Sequence, residues 1–191
     1  MNLAAVVLAA GAGRRFGGGK LSARFNGGPL IAHAIRAARA APVGRVIVVC
    51  PPALDIGEWP GSPAVETLRI ASPELSASLQ AGIAACGSVD GAFIYLGDMP
   101  LIPHAIAAEL AASLGASFAA VPRWQGEQGH PVLLSAAAFP AIADLQGDQG
   151  AGKLLKSRED IAFVDAADEG VLLDIDRAED IARLERRLRD A

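Results

Sequence analysis

Residues 3–20 read LAAVVLAAGAGRRFGGGK, and this stretch decides the fold. Its first part, residues 3–8, is an uninterrupted apolar run, which is typical of a strand covered on both faces of a sheet. Its second part holds five glycines within residues 11–19, so the backbone there can turn sharply and approach a ligand closely. A buried strand followed directly by such a loop predicts a ligand site at the carboxyl end of the first strand.

Outward from this stretch, short apolar runs alternate with helical patterns along the whole chain. The predicted strands are 3–8, 45–50, 66–70, 92–96, 117–121, 132–134, 161–164 and 171–173. The predicted helices are 29–41, 75–85, 103–114, 135–143, 151–156 and 177–189. This alternation predicts an α/β fold with a mostly parallel sheet wrapped by helices. We expect one domain over residues 1–191, because the Pro/Gly-rich connection at 51–63 is too short to separate two domains.

Composition and charge exclude several classes of protein. With 191 residues, 52% hydrophobic and 20% charged, the chain can fold around a sizeable core. The net charge is −4, but residues 1–54 carry seven basic side chains and no acidic one. An acidic protein with one basic end is not typical of a general nucleic-acid binder, although that end can hold a small polyanion.

Targeting signals and cysteine chemistry are not indicated either. No stretch approaches the roughly 18 uninterrupted apolar residues of a membrane span. The apolar run at 3–10 lacks the preceding basic residue of an export signal. Cys50 and Cys86 make neither a disulfide framework nor a metal-ligand spacing. We therefore expect a cytoplasmic protein whose partners are neither nucleic acid nor a membrane.

The glycine-rich loop predicts a phosphate site. Its successive N–H groups can form an anion cradle, and Arg14, Arg15 and Lys20 supply the charge that a triphosphate demands. Two common phosphate motifs are excluded. A Walker loop needs Gly at position 14 and Ser or Thr at 21, and a dinucleotide loop needs Gly at 16. Those positions hold Arg14, Leu21 and Phe16.

Two acidic segments follow predicted strands. The sequence GDMPL at 97–101 puts Asp98 at the carboxyl end of strand 92–96, where a magnesium ion that bridges phosphates could lie. An ordinary turn or helix-start role for Asp98 is the alternative. The sequence LLDIDRAED at 172–180 offers Asp174 and Asp176, which an extended backbone places on the same side. Asp176 could instead be the N-cap of the last helix.

The loop resembles the LxAGxxxRxGxxK signature of the MobA-like NTP transferase family, a branch of the nucleotidyltransferases. Six fixed positions meet it: Leu8, Ala10, Gly11, Arg15, Gly17 and Lys20. The resemblance continues through segments similar to SSSLxxG at 76–82, GDxP at 97–100, GHPV at 129–132, GDxGA at 147–151 and DIDTPED at 174–180. It implies a Rossmann-like three-layer α/β/α fold of the nucleotide-diphospho-sugar-transferase type, with a mixed, mostly parallel sheet.

The resemblance also implies a reaction and its residues. A nucleoside monophosphate would pass from an NTP to a phosphate of a small-molecule acceptor, with Mg²⁺ or Mn²⁺ as cofactor. The implied catalytic residues are Arg15, Lys20 and Asp98. The implied metal ligands are Asp98 and Asp176, with Asp174 as the fallback. The nucleotide is expected on Leu8, Ala9, Ala10, Gly11, Ala12, Gly13, Arg15, Lys20 and Ser78, and the acceptor on Gly129, His130 and Asp148.

Within the family, LAAG at 8–11 resembles the members that transfer a cytidylyl group to the molybdenum cofactor. This implies CTP and molybdopterin as substrates, and a molybdoenzyme as a transient partner. The alternatives are a GTP-using enzyme, a sugar- or alcohol-phosphate nucleotidyltransferase, and a non-catalytic nucleotide-binding regulator. Two departures from the family pattern, Gly28 in place of a lysine and a shortened stretch at 70–78, bear mainly on the acceptor.

Overall fold

The first strand of the chain lies in the interior of the sheet in the computed structural model, which describes residues 1–11, 13–156 and 158–190. In chain order the strands are β1 (Leu3–Leu8), β2 (Arg24–Phe25), β3 (Gly28–Pro29), β4 (Arg45–Cys50), β5 (Ala64–Arg69), β6 (Gly91–Leu96), β7 (Ala119–Trp124), β8 (Glu127–Gln128), β9 (Val132–Ser135) and β10 (Ile161–Asp165). The α-helices are α1 (Leu30–Ala40), α2 (Leu75–Cys86), α3 (Ile106–Ser113), α4 (Phe139–Ile142), α5 (Ala151–Leu155) and α6 (Ala178–Asp190). The predicted alternation of strands and helices is thus confirmed.

The main sheet is mixed but mostly parallel. Its strand order is β10-β7-β9-β6-β1-β4-β5, with β8 paired to β7. β1 pairs in parallel with β4 and β6, β4 pairs in parallel with β5, and β7 pairs in parallel with β10. β9 lies antiparallel between β6 and β7. The carboxyl ends of β1, β4 and β6 therefore meet at one edge of the sheet, where the glycine-rich loop begins.

The side chains of β1 alternate between two hydrophobic cores, one on each face of the sheet. Leu3, Ala5 and Val7 pack with residues of α1 and α3. Ala4, Val6 and Leu8 pack with residues of α2, α4 and α5. All six are buried, as expected for the period of two along a strand. Helices thus cover both faces of the sheet, and the predicted three-layer α/β/α architecture is confirmed.

A third, smaller core joins the two ends of the chain. Its buried members are Phe25, Leu30, Ile175 and Leu184. Phe16 and Leu21 of the glycine-rich loop and Ile181 of α6 pack against it. The loop and the last helix therefore share one apolar support.

The predicted strand at 171–173 is wrong. A short 3₁₀ helix, Glu169–Val171, occupies this region, and a carboxylate oxygen of Asp168 accepts the Gly170 N–H within it at 2.6 Å. Val171 is fully buried, which explains the apolar pattern. A turn that fills the core and a buried strand have the same short apolar pattern in sequence.

Two predicted helices are shorter than expected. The helix predicted at 103–114 begins at Ile106. The one predicted at 135–143 is divided into a 3₁₀ turn, Ala136–Ala138, and α4. Within the described ranges, no helix combines the length and the apolar character that a membrane crossing requires.

Helix α2 packs against the sheet at Gly82, and this contact gives a stability prediction. A Cβ atom at Gly82 would overlap Cγ1 of Val6 and lie 3.1 Å from Cγ2 of Val49. Gly82→Ala should therefore lower the free energy of unfolding by about 1–3 kcal/mol, because β-branched side chains in a packed core cannot move aside. Urea denaturation measures this difference.

The matched control is Gly152→Ala in α5, where an added Cβ has no heavy atom within 4 Å. That variant should be neutral or more stable by up to about 1 kcal/mol, because alanine favours the helix. Equal stability of the two variants would contradict the close packing of α2 on β1.

Candidate functional site

The glycine-rich loop leaves the carboxyl end of β1 and forms two short 3₁₀ helices, Arg14–Phe16 and Lys20–Ser22. Gly18 and Gly19, which precede the second helix, have φ angles of 99° and 64°. Residues other than glycine rarely adopt such backbone angles, so these two glycines allow the chain to turn back toward the sheet. The turn brings Lys20 over the edge where β1 and β6 end.

Asp98 lies two residues beyond β6. The N–H of Gly97 donates to the carbonyl oxygen of Leu8 at 2.9 Å, which ties this turn to β1. A Cβ atom at Gly97 would lie 2.9 Å from Cδ1 of Ile31, so the close approach to α1 requires glycine. The carboxylate of Asp98 therefore comes from a fixed backbone position next to the loop.

The second acidic segment is joined to the first by its backbone. The N–H of Ile175 donates to the carbonyl oxygen of Asp98 at 3.0 Å, and the Ile175 side chain is buried in the third core. Asp176 follows directly and points to the loop. The carboxylate of Asp176 pairs with Lys20 and Arg15, and α6 begins two residues later at Ala178, so Asp176 is not at the N-cap position of the alternative. Asp180 instead accepts the N–H groups of Asp176 and Arg177.

These three segments form a cluster of four charged side chains. The Nζ of Lys20 lies 2.6 Å from Oδ2 of Asp98 and 3.3 Å from Oδ1 of Asp176. The Nη1 of Arg15 lies 3.0 Å from Oδ2 of Asp176. Exposure rises outward through the cluster, from 11% for the Lys20 side chain to 24% for Asp98, 42% for Asp176 and 76% for Arg15. The Lys20 ammonium is thus the inner cation between two carboxylates.

The protonation states follow from these contacts. Burial alone would lower the pKa of Lys20, but hydrogen bonds and charge from Asp98 and Asp176 outweigh it and raise that pKa. Burial would raise the pKa of Asp176, but Lys20 and then Arg15 hold it below its ordinary value. Desolvation, followed by the negative charges of Asp176 and Asp98, raises the pKa of Asp174. Near pH 7 the cluster therefore contains an ammonium and an ionised Asp176.

The donor set fits a divalent cation that binds together with phosphates. One nitrogen atom reaches both Asp98 and Asp176, so one cation can contact both carboxylates. Among residues 1–11, 13–156 and 158–190, no group of three or more His, Cys, Asp or Glu side chains is arranged to hold a metal ion. Magnesium usually takes one or two carboxylates and completes its shell with water and substrate phosphates. Asp98 and Asp176 match that requirement.

A cavity of about 660 Å³ opens beside this cluster. Such a volume is within the range of small-molecule sites. Eleven of the predicted site residues line it: Leu8, Ala9, Ala10, Gly11, Gly13, Arg15, Lys20, Ser78, Asp98, Asp148 and Asp176. The structure therefore brings the predicted phosphate loop, the two metal-ligand candidates and one acceptor candidate to a single cavity.

Three predicted residues do not line the cavity, and a fourth, Ala12, lies outside the described residues. Asp174 is exposed and does not line the cavity. Gly129 and His130 do not line it either, since Gly129 packs tightly against the Val171 backbone and the N–H of His130 donates to its carbonyl oxygen at 2.8 Å. Desolvation lowers the pKa of His130, so its imidazole is neutral at pH 7.

The cavity has further lining residues that were not among the predicted site residues: Leu21, Pro73, Glu74, Leu75, Leu96 and Gly147. The start of α2 meets the loop around Gly147 here, because the N–H of Ser76 donates to the Gly147 carbonyl oxygen at 3.0 Å. The Ser78 hydroxyl donates to the carbonyl oxygen of Glu74 at 3.0 Å. The two family-like segments at 76–82 and 147–151 were the signal that could have identified this wall.

Known proteins are similar to this chain in sequence. A family model described as "MobA-like NTP transferase domain" matches residues 5–161. A "Probable molybdenum cofactor guanylyltransferase" of Thermococcus gammatolerans is 34% identical over 131 residues, which are 66% of this chain and 65% of that protein. The match thus spans slightly less than two thirds of the relative's length.

Solved structures are similar over nearly the whole chain. A homologue of Rv0371c from Mycobacterium sp. strain JC1 has a TM-score of 0.84 and 28% identity, and the match covers 98% of this chain and 97% of that one. The complex of Rv0371c from Mycobacterium tuberculosis with manganese has a TM-score of 0.76 and 25% identity, covering 97% and 99%. The chain belongs to the MobA-like NTP transferase family, because the family model matches most of the length of the chain.

Proposed function

We propose that this nucleotidyltransferase moves a nucleoside monophosphate from an NTP to a phosphate of a small-molecule acceptor and releases pyrophosphate. One observation carries the proposal. Beneath a glycine-rich loop, the Lys20 ammonium lies between the carboxylates of Asp98 and Asp176, at the wall of a cavity of about 660 Å³. Cations for phosphate and carboxylates for a metal are thereby side by side.

In the proposed reaction, an oxygen of the acceptor phosphate attacks the α-phosphorus of the NTP. The bond from this phosphorus to the bridging oxygen of the β-phosphate breaks, and pyrophosphate leaves with the electron pair. Lys20 and Arg15 would bind the phosphates and neutralise their growing charge, with help from loop N–H groups. The acceptor phosphate is already ionised, so a general base is not required. His130 does not line the cavity, which is consistent with this.

We propose that Asp98 and Asp176 hold the divalent metal, Mg²⁺ or Mn²⁺. When bound, such an ion orients the phosphates and withdraws negative charge from them. The manganese in the related Rv0371c structure supports a metal-dependent family member. Asp174 is a weaker ligand candidate, because it is exposed and lies outside the cavity lining.

For the nucleotide, we propose CTP as the donor. Ala10 lines the cavity, and its methyl group would take up space that a glycine at this position would leave open to the base. A smaller space favours a pyrimidine over a purine. GTP is the second candidate, and the name of the Thermococcus gammatolerans relative favours it.

For the acceptor, we propose molybdopterin, which would make the product a dinucleotide form of the molybdenum cofactor. Asp148 lines the cavity and would contact the acceptor directly. Gly129 and His130 would support the acceptor side through the backbone, since neither lines the cavity. A molybdoenzyme that receives the product is a proposed transient partner.

The deciding experiment measures pyrophosphate release with each of CTP, GTP, ATP and UTP, in the presence of Mg²⁺ and purified molybdopterin. Release confined to CTP would support both the reaction and the base. Release confined to GTP would show that CTP is not the donor, and it would still support the proposed transfer reaction. Nucleotide binding without release for any of the four would contradict molybdopterin as the acceptor, and a panel of sugar and alcohol phosphates would follow.

A further inference from the structure

Asp180, in the first turn of α6, has contacts that hold the backbone at the candidate site. Its Oδ2 accepts the N–H of Asp176 at 3.0 Å and the N–H of Arg177 at 2.8 Å. Its Oδ1 pairs with Nη2 of Arg183 at 3.1 Å, and 21% of the Asp180 side chain is exposed. Both carboxylate oxygens are therefore engaged.

These hydrogen bonds act at the start of a helix, where backbone N–H groups lack intrahelical partners. A side chain in the first turn that reaches back to these donors forms one half of a capping box. The donors here include the N–H of Asp176 itself. Asp180 therefore fixes the backbone of the residue whose carboxylate faces Lys20.

A second anchor lies on the other side of Asp176. The N–H of Ile175 donates to the carbonyl oxygen of Asp98 at 3.0 Å, and the Ile175 side chain is fully buried in the third core. Asp176 is thus held between a backbone bond to the other carboxylate segment and the Asp180 cap. These contacts hold the backbone of Asp176 in a fixed position relative to the backbone of Asp98.

We infer that Asp180 is a positioning residue for the metal and phosphate site. It does not line the cavity, and it acts by fixing the position of the Asp176 carboxylate. This inference rests on the proposed function, in which Asp176 is a metal ligand. Loss of a group that orients a metal ligand typically weakens metal binding by about 10- to 100-fold. Asp180 is itself one step from the ligand, so the lower end of that range is expected.

The structure offers controls that separate this effect from simple charge. Asp180→Ala removes the acceptor and the charge together. Asp180→Asn removes the charge and keeps an acceptor oxygen, so it should rescue most of the effect. Glu179→Gln removes the same charge from the neighbouring position, where the side chain is exposed. Asp176→Asn reports on the ligand itself.

The experiment is a titration with Mn²⁺ alone, in which electron paramagnetic resonance detects the free ion. We expect Asp180→Ala to bind Mn²⁺ about tenfold more weakly than wild type. Asp180→Asn and Glu179→Gln should stay within about threefold of it, because a surface charge alone has a small, screened effect. Hydrogen exchange in the wild type should show protected amides at Asp176 and Arg177, and this result does not depend on any variant.

Four outcomes would overturn the inference. One is Mn²⁺ affinity in Asp180→Ala equal to wild type while Asp176→Asn is weakened, which would leave the proposed function intact. Another is an Asp180→Asn variant as weak as Asp180→Ala, which would assign the effect to charge. A third is rapid exchange of the Asp176 and Arg177 amides in wild type, which would show that Asp180 does not hold them in stable hydrogen bonds. Equal Mn²⁺ binding by Asp176→Asn and wild type would overturn the proposed metal site as well.

Discussion

Asp98→Asn should lower the rate of pyrophosphate release by about 10²–10³, which corresponds to roughly 3–4 kcal/mol in the barrier. The substitution keeps the size of the side chain and removes its charge. Asp98 lies at a fixed turn after β6, 2.6 Å from the Lys20 ammonium. The measurement is pyrophosphate release at saturating nucleotide and metal, together with Mn²⁺ affinity.

The control is Asp144→Asn, which removes one negative charge at an exposed position outside the cavity. It should change the rate by less than about twofold, because exposed charges at a distance are screened. If Asp98→Asn retained more than about a tenth of the wild-type rate, the metal-ligand role proposed for Asp98 would be wrong. Thermal unfolding of both variants would show that the comparison concerns folded proteins.

Lys20→Met should have two effects that can be measured separately. The transfer rate should fall by about 10²–10³, because a preorganised cation next to the phosphates is lost. The free energy of unfolding should also fall, since Asp98 and Asp176 would face each other without the ammonium between them. We expect a loss of about 1–2 kcal/mol, less than for a fully buried pair because Asp176 is well exposed to solvent.

The stability effect has a defined pH dependence. The pKa of Lys20 is raised above 10.5, so its contribution is complete below that pH and is lost as the pH rises through the folded-state value. The pKa of Asp176 is lowered below 3.8, so its contribution is present above that pH and is lost as the pH falls through the folded-state value. The difference between wild type and Lys20→Met should therefore be constant between about pH 5 and 9.

The matched control is Lys153→Met, at an exposed position in α5. Its unfolding free energy and transfer rate should both stay close to wild type. Urea denaturation at pH 5, 7 and 9 provides the measurement. A Lys20→Met difference that grew or vanished within this window would contradict the arrangement of charges described for the cluster.

The sequence could predict those parts of the site in which local pattern and position coincide. Residues 3–8 form a continuous apolar run followed by glycines, so both β1 and the glycine-rich loop could be predicted. Asp98 follows another apolar run by two residues, which put it at the same sheet edge. Lys20, Asp98 and Asp176 were predicted as one site, and in the structure the Nζ of Lys20 lies 2.6 Å from Asp98 and 3.3 Å from Asp176.

Other features depend on contacts between distant segments and leave no local pattern. The sequence shows Asp180 only as an acidic residue near the start of a helix. Its two hydrogen bonds depend on the backbone conformation of residues 176–177, just before α6. Glu74 and Leu75 reach the cavity because α2 packs closely on β1 at Gly82. The segment at 171–173 has the apolar residues of a strand, but it forms a turn because Gly170 meets the Leu101 backbone. Tertiary packing decides each of these.

The ion pairs of the cluster also order events during synthesis. Lys20 pairs with residues that lie 78 and 156 positions later in the chain. At typical elongation rates, translation of the longer interval takes about 8–30 s. During that time the glycine loop leaves the ribosome without its second carboxylate, its capping aspartate or α6. The charge cluster can therefore be completed only after the segment that carries Asp176 has been synthesised, long after the glycine-rich loop.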